Sequence, residues 1–257
     1  MTENPDELVQ LLWGPRPQPR RGPKPALSLH RIARAGIGIA DEEGLPALSM
    51  QRVAEVLGFT KMSLYRYVPG KAELVALMVE TAIDDVPGEA SETAGASAGA
   101  GASAGAGASE TAGWREALAD WSRRLVTVFQ RHPWLLDATV GPRLMGPKEL
   151  AWMERALAAL DGTGLTGGER MDAVVLLSSH VRGIAQQARA ASPSAAPEAQ
   201  FHSALATVLH THGDRYPAVL SAMTSSAAEP DGQDQALEFG LERILDGLGA
   251  LITQRAD

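Results

Sequence analysis

The sequence predicts an all-α chain of two helical parts joined by a low-complexity linker, and three observations carry that expectation. Apolar residues recur at three- and four-residue spacing over most of the chain, with Ser or Thr where helices should begin and Gly where they should end. No segment alternates β-branched residues at period two, so no strand is assigned. From 91 to 113 every residue is Ser, Glu, Thr, Ala or Gly, with Ser-Glu-Thr-Ala-Gly at both ends, at 91–95 and 109–113. Such a stretch buries too little apolar area to offset its ordering entropy, and it reads as a linker with a root-mean-square span of about 26 Å.

The elements follow in order. Residues 1–26 are expected to be a flexible N-terminal segment ending in the basic, proline-rich arm from Pro15 to Pro25. From Ser28 to Gly44 the stripe Leu29, Ile32, Ala33, Gly36, Ile39 and Ala40 predicts a helix closed by Gly44. Ser49 caps a second, short helix that stops at Gly58. Thr60 caps a third, running through Tyr67 and ended by Pro69-Gly70. A fourth spans about Lys71 to Asp85. Beyond the linker, helices are expected around 114–129, 150–160, 169–190 and 234–253. The 169–190 helix has no fully polar face, so it should be covered on more than one side. The domain division is therefore 1–26, 27–86, a linker at 87–113, and 114–257.

Charge separates the same parts. The chain has 257 residues and a formal net charge of −8. Between Pro15 and Ala72, however, ten basic residues face four acidic ones. A basic first quarter joined to an acidic remainder suggests a first part facing a polyanion and a second part that does not. With no cysteine, disulfides, thiolate nucleophiles and cysteine-ligated metals are excluded. The acidic N-terminus lacks the pattern of a secretion signal and no stretch suits a membrane span, so a cytoplasmic protein without membrane association is expected.

The segment from Ser49 to Tyr67 has the proportions of a helix-turn-helix, whose second helix enters the DNA major groove. Here "GLPALSMQRVAEVLGFTKMSLYRYVPGKAELVALM" resembles the tetracycline-repressor (TetR) type of bacterial regulator over about Leu27 to Glu80, with Gly44, Ser49, Ala54, Gly58, Leu64, Tyr65 and Lys71 coinciding without gaps. "LEFGLERILDGLGALI" resembles the closing dimer helix of that family's C-terminal domain. The resemblance implies an N-terminal three-helix helix-turn-helix DNA-binding domain and a C-terminal helical domain for ligand binding and dimerisation. It further implies a homodimeric repressor that binds a palindromic double-stranded operator and is released by a small-molecule effector.

The residues fit a DNA surface. Thr60, Lys61, Met62 and Ser63 open the recognition helix and place short polar and cationic groups at base edges. Tyr65, Arg66 and Tyr67 offer hydroxyls and a guanidinium to phosphates, Lys71 opens the next helix, and Ser49 and Gln51 start the helix before. The plainer alternative is that Tyr65 and Tyr67 pack on the first helix and that Lys71 is merely solvated.

In the C-terminal part, polar groups interrupting apolar stripes are candidate effector contacts: His180, Arg182 and Gln186, with Trp134, Met145, Trp152 and Met153 as walls. The same Trp and Met spacing also suits plain core. Val174, Val181, Leu241 and Leu248 are expected at a dimer interface in a four-helix bundle. The metal-liganding histidine of tetracycline-binding members falls at Thr139, which argues against a magnesium–tetracycline effector, and no metal or cofactor is expected. Catalysis is not expected either. Gly-x-Ser-x-Gly occurs at Gly95–Gly99 and Gly101–Gly105, but inside the linker, with no strand before it and no helix after it. Two other functions fit the same patterns: a DNA-binding regulator without an effector, and a helical enzyme or small-molecule carrier with a vestigial DNA head.

Overall fold

The computed structural model describes residues 5–14, 27–83, 110–190, 197–228 and 235–256. Among these every regular element is helical. The basic arm and the Ala/Gly/Ser repeats through Ser109, expected to be flexible, lie outside the described residues. The chain divides into two compact units, residues 1–160 and 161–257.

The first unit begins with α1 (Pro5–Trp13). The whole of 1–26 was expected to be flexible, but Leu8 and Leu12, one helical turn apart, are buried as α1 packs on α5. Helices α2 (Leu29–Glu43), α3 (Met50–Leu57), α4 (Lys61–Tyr65) and α5 (Lys71–Ala82) follow. They enclose a core of Ile32, Leu48, Val53, Leu64, Leu74 and Met78, all nearly inaccessible to solvent. Helix α4 is shorter than the sequence suggests, because the amides of Tyr67 and Val68 both donate to the Leu64 carbonyl and close the helix in a tight turn. Helix α5 runs to Ala82, and Asp85, to which the sequence carries it, lies outside the described residues.

Helix α6 (Glu110–Arg131) starts four residues inside the expected linker. It is followed by α7 (Leu135–Ala138) and α8 (Pro147–Ala159). Trp114, Leu118, Trp121 and Phe129 of α6 are buried, and α6 packs on α8. Helix α5 packs on both α7 and α8. Helices α7 and α8 are therefore built against the helix-turn-helix head, and the compact unit ends at Leu160, well beyond the linker.

The second unit holds α9 (Gly167–Ala190), α10 (Pro197–His212), α11 (Pro217–Ala228) and α12 (Ala236–Ala256). Helix α9 opens with a capping box: the Glu169 amide donates to Thr166 Oγ1 at 3.3 Å, and the Thr166 amide donates to Glu169 Oε2 at 2.8 Å. The bonds that the carboxylate accepts from the Thr166 amide and from Arg255 hold the Glu169 carboxyl below the ordinary carboxylate range. Helices α9 and α12 pack together, with Val174, Leu177, Val181 and Ala185 on one and Leu241, Leu245, Leu248 and Ile252 on the other buried. Helices α10 and α11 carry little amphipathic signal, and the sequence reading assigned nothing there.

Val174, Val181, Leu241 and Leu248 were expected at an interface with a second chain. All four are buried within this chain. Periodicity identified the apolar faces of the two helices but not which of them closes the unit's own core.

Candidate nucleic-acid interface

The interface is built from local capping. Ser49 is extended and its hydroxyl accepts the Arg52 amide at 3.2 Å, which starts α3. Gly58 ends that helix with φ +73, a left-handed conformation that favours glycine, and both Ala54 and Glu55 carbonyls accept its amide. The chain then re-enters a helix at Thr60, whose Oγ1 accepts the Ser63 amide at 3.3 Å. The same Oγ1 lies 2.9 Å from the Ser63 hydroxyl, so the two hydroxyls hydrogen-bond to each other at the head of the helix.

Below this turn, Val53, Ala54, Leu64 and Val68 are buried. Above it the predicted contact residues face solvent. Lys61, Tyr65, Arg66, Tyr67 and Lys71 are exposed, as are Ser49, Gln51 and Thr60. Met62 is 72% exposed, a large apolar side chain that none of the described residues covers. Lys61 Nζ sits 5.4 Å from the Tyr65 ring centroid, a spacing at which the ammonium is attracted by the ring face. Gln51 donates to Glu55 Oε1 at 2.7 Å, along α3. The anchored Leu64 and Val68 thus orient an exposed rim of hydroxyls, cations and one thioether. Groups of this kind suit base edges, a thymine methyl and phosphate oxygens.

The residues expected at an effector site fall in both units. In the first, Trp134 is buried and its indole Nε1 donates to Asp41 Oδ1 at 2.8 Å. Asp41 also accepts from His132 Nδ1 at 2.8 Å, so the carboxylate of α2 fastens the turn leading into α7. Trp152 and Met153 are half-buried on α8. The Trp152 carbonyl accepts the Trp121 indole at 2.9 Å, the two ring centroids are 6.3 Å apart, and the Arg155 guanidinium lies 5.0 Å from the Trp152 ring. The Met145 carbonyl accepts the Trp13 indole at 3.1 Å. Thr139 turns its hydroxyl to the Leu135 carbonyl at 2.6 Å. In the second unit, His180 Nε2 donates to the Leu237 carbonyl at 3.0 Å, tying α9 to α12. Arg182 is half-buried and Gln186 exposed. Among the described residues no group of three or more His, Asp or Glu is arranged to hold a metal ion, and no helix is long and apolar enough to cross a membrane.

Sequence reading missed two carboxylates of the head that reach later helices, Asp41 and Glu80. Nothing local marks them, because their partners lie far along the chain.

Comparison with known proteins gives the same picture. The family model described as bacterial regulatory proteins, tetR family, matches residues 32–78, and the tetracyclin repressor-like C-terminal domain matches residues 106–252. The HTH-type transcriptional repressor DrrR1 of Streptomyces coeruleorubidus is 37% identical over 253 residues, covering 96% of this chain and 86% of the relative. An HTH-type transcriptional regulator of Saccharopolyspora erythraea is 27% identical over 237 residues, covering 91% of this chain and 90% of the relative. Among solved structures, the TetR family protein ActR of Streptomyces coelicolor in complex with actinorhodin superposes with a TM-score of 0.67 at 26% identity, over 88% of this chain and 97% of that one. Matching models over both its N-terminal and C-terminal parts, and a relative of this identity along nearly its whole length, establish that the chain belongs to the TetR family of bacterial transcriptional regulators.

Proposed function

We propose that the protein is a transcriptional repressor that binds a palindromic DNA operator as a homodimer and is released from it by a small-molecule effector. The observation that carries this reading is the rim of α4. Lys61, Met62, Tyr65 and Arg66 stand exposed above a buried Leu64 and Val68, with Lys71 exposed at the start of α5. A relative 37% identical over 96% of this chain is described as a repressor, and ActR is a TetR family protein solved in complex with actinorhodin. In this reading residues 27–86 bind DNA, and 114–257 bind effector and dimerise.

The dimer face is proposed on the sides of α9 and α12 that their mutual packing leaves open. Met171, Val175 and Leu176 are exposed on α9, Val175 at 59%, and Phe239 on α12 at 62%. Large apolar side chains left open along two packed helices suit a partner surface better than water. Effector contact is proposed at Trp152 and Met153, half-buried beside Trp121 on α6. A flat, aromatic effector would suit the indole pair and the Arg155 guanidinium. Trp134 Nε1 and His180 Nε2 already bond Asp41 and the Leu237 carbonyl, so these two side chains serve better as fasteners.

The test is a gel shift with DNA from the upstream region of the protein's own gene, with and without planar aromatic compounds. Retardation that salt weakens and an aromatic compound abolishes supports the reading. Binding that no such compound affects would leave a regulator without an effector.

A further inference from the structure

Helix α8 begins without a cap of its own. Its N-cap is Gly146, which has no side chain to offer, and its first residue is Pro147, which has no amide hydrogen. The first two free amides, those of Lys148 and Glu149, point instead at a carboxylate from another helix. Glu80 on α5 accepts them at 3.0 Å through Oε2 and 3.1 Å through Oε1. Glu80 is only 5% exposed. Its desolvation raises the carboxyl above the ordinary range, and the two amide bonds partly offset that shift. The fit is close, since a Cβ on Gly146 would lie 2.2 Å from the Glu80 carboxyl carbon.

Both ends of this contact lead to surfaces that matter. Helix α5 is one unbroken helix of 12 residues with Lys71 at its exposed start. At a rise of about 1.5 Å per residue, Glu80 lies roughly 14 Å along the same rod. On α8, the capped Glu149 is followed within one turn by Trp152, whose carbonyl holds the Trp121 indole. A displacement of α8 cannot leave both amide bonds intact unless α5 moves with it, and the reverse also holds.

We propose that Glu80 is a positioning residue that couples the two: by capping α8 from α5, it makes the DNA-facing end of α5 and the first turn of α8 respond to one another. The proposal rests on the DNA reading given above. It goes beyond that reading by assigning the link to one carboxylate and two amides. Coupling of this kind is reciprocal, so DNA alone can report it without any effector.

The experiment is amide hydrogen exchange on the full-length protein, with and without a double-stranded DNA selected for binding from a random pool. In the unaltered protein, DNA should slow exchange at Ser63 and Leu64, and should also change exchange at Lys148 and Glu149 by about fivefold or more. In Glu80→Gln, which keeps the size of the side chain but turns an NH2 toward one amide, the change at Ser63 should persist while that at Lys148 and Glu149 disappears. Gly146→Ala breaks the same fit from the other side without altering Glu80, and it should give the same result should Glu80→Gln fold poorly. An equal DNA-dependent change at Lys148 and Glu149 in the variants, or none in the unaltered protein while Ser63 responds, would overturn the coupling alone. No DNA-dependent change at Ser63 would overturn the DNA reading, and the coupling with it.

Discussion

The indole of Trp134 donates to the carboxylate of Asp41 at 2.8 Å, across 93 residues of sequence. Asp41 lies in the last turn of α2, and Trp134 is the N-cap of α7, beyond the linker. A wall of an effector pocket and a fastener between helices make different demands on this side chain. Trp134→Phe removes the donor and leaves Asp41 with His132. Because the indole is buried and its acceptor charged, unfolding in urea should show a loss of about 2 kcal/mol, part hydrogen bond and part lost packing. Unchanged stability with an altered effector response would return Trp134 to the pocket.

The raised carboxyl of Glu80 fixes the sign of a pH effect. A folded-state value above the unfolded value of 4.5 means that the folded protein holds its proton more tightly than the unfolded chain. Stability contributed by this group is therefore present at and below pH 4.5 and is lost as pH rises through the raised value. Glu80→Gln does not titrate. The melting temperature of the unaltered protein minus that of Glu80→Gln should thus fall on going from acidic to neutral pH and then level off. A difference that rises over the same interval would show that the two amide bonds outweigh desolvation.

Dimerisation separates two sets of apolar residues on the same pair of helices. Val175→Glu places a charge on the exposed stripe of α9 and should yield folded monomers by sedimentation, with helical content unchanged. Leu241→Glu places it in the chain's own interior, where Leu241 is 1% exposed, and should unfold the second unit by several kcal/mol. A dimer that survives Val175→Glu would put the interface on another face.

What was legible in the sequence was local. Ser49, Gly58 and Thr60 act within four residues of themselves, so the helix-turn-helix could be read from their order, and the structure gives each the hydrogen bonds expected of a cap. Exposure of Lys61 and Tyr65 followed from the same periodicity that buried Leu64. Other features depend on distant partners. Leu8 and Leu12 have helical spacing, but only the presence of α5 gives them something to cover, and the segment read as flexible. Asp41 and Glu80 look like surface acids until α7 and α8 are in place. For α9, an apolar face on nearly every side was visible, but which face meets α12 and which remains open depends on packing that no single-helix pattern contains.

In the proposed function the α4 rim reads DNA while Lys71 only holds it. The direct measurement is the affinity of Lys61→Ala and Lys71→Ala for a selected operator and for random duplex DNA over a range of salt concentrations. Lys61→Ala should cost about 1–3 kcal/mol on the operator and much less on random DNA. Lys71→Ala should weaken both alike and lower the salt dependence by nearly one released ion per contact. Equal losses on both DNAs for Lys61→Ala, together with altered sequence preference for Lys71→Ala, would contradict the placement of this helix in the groove.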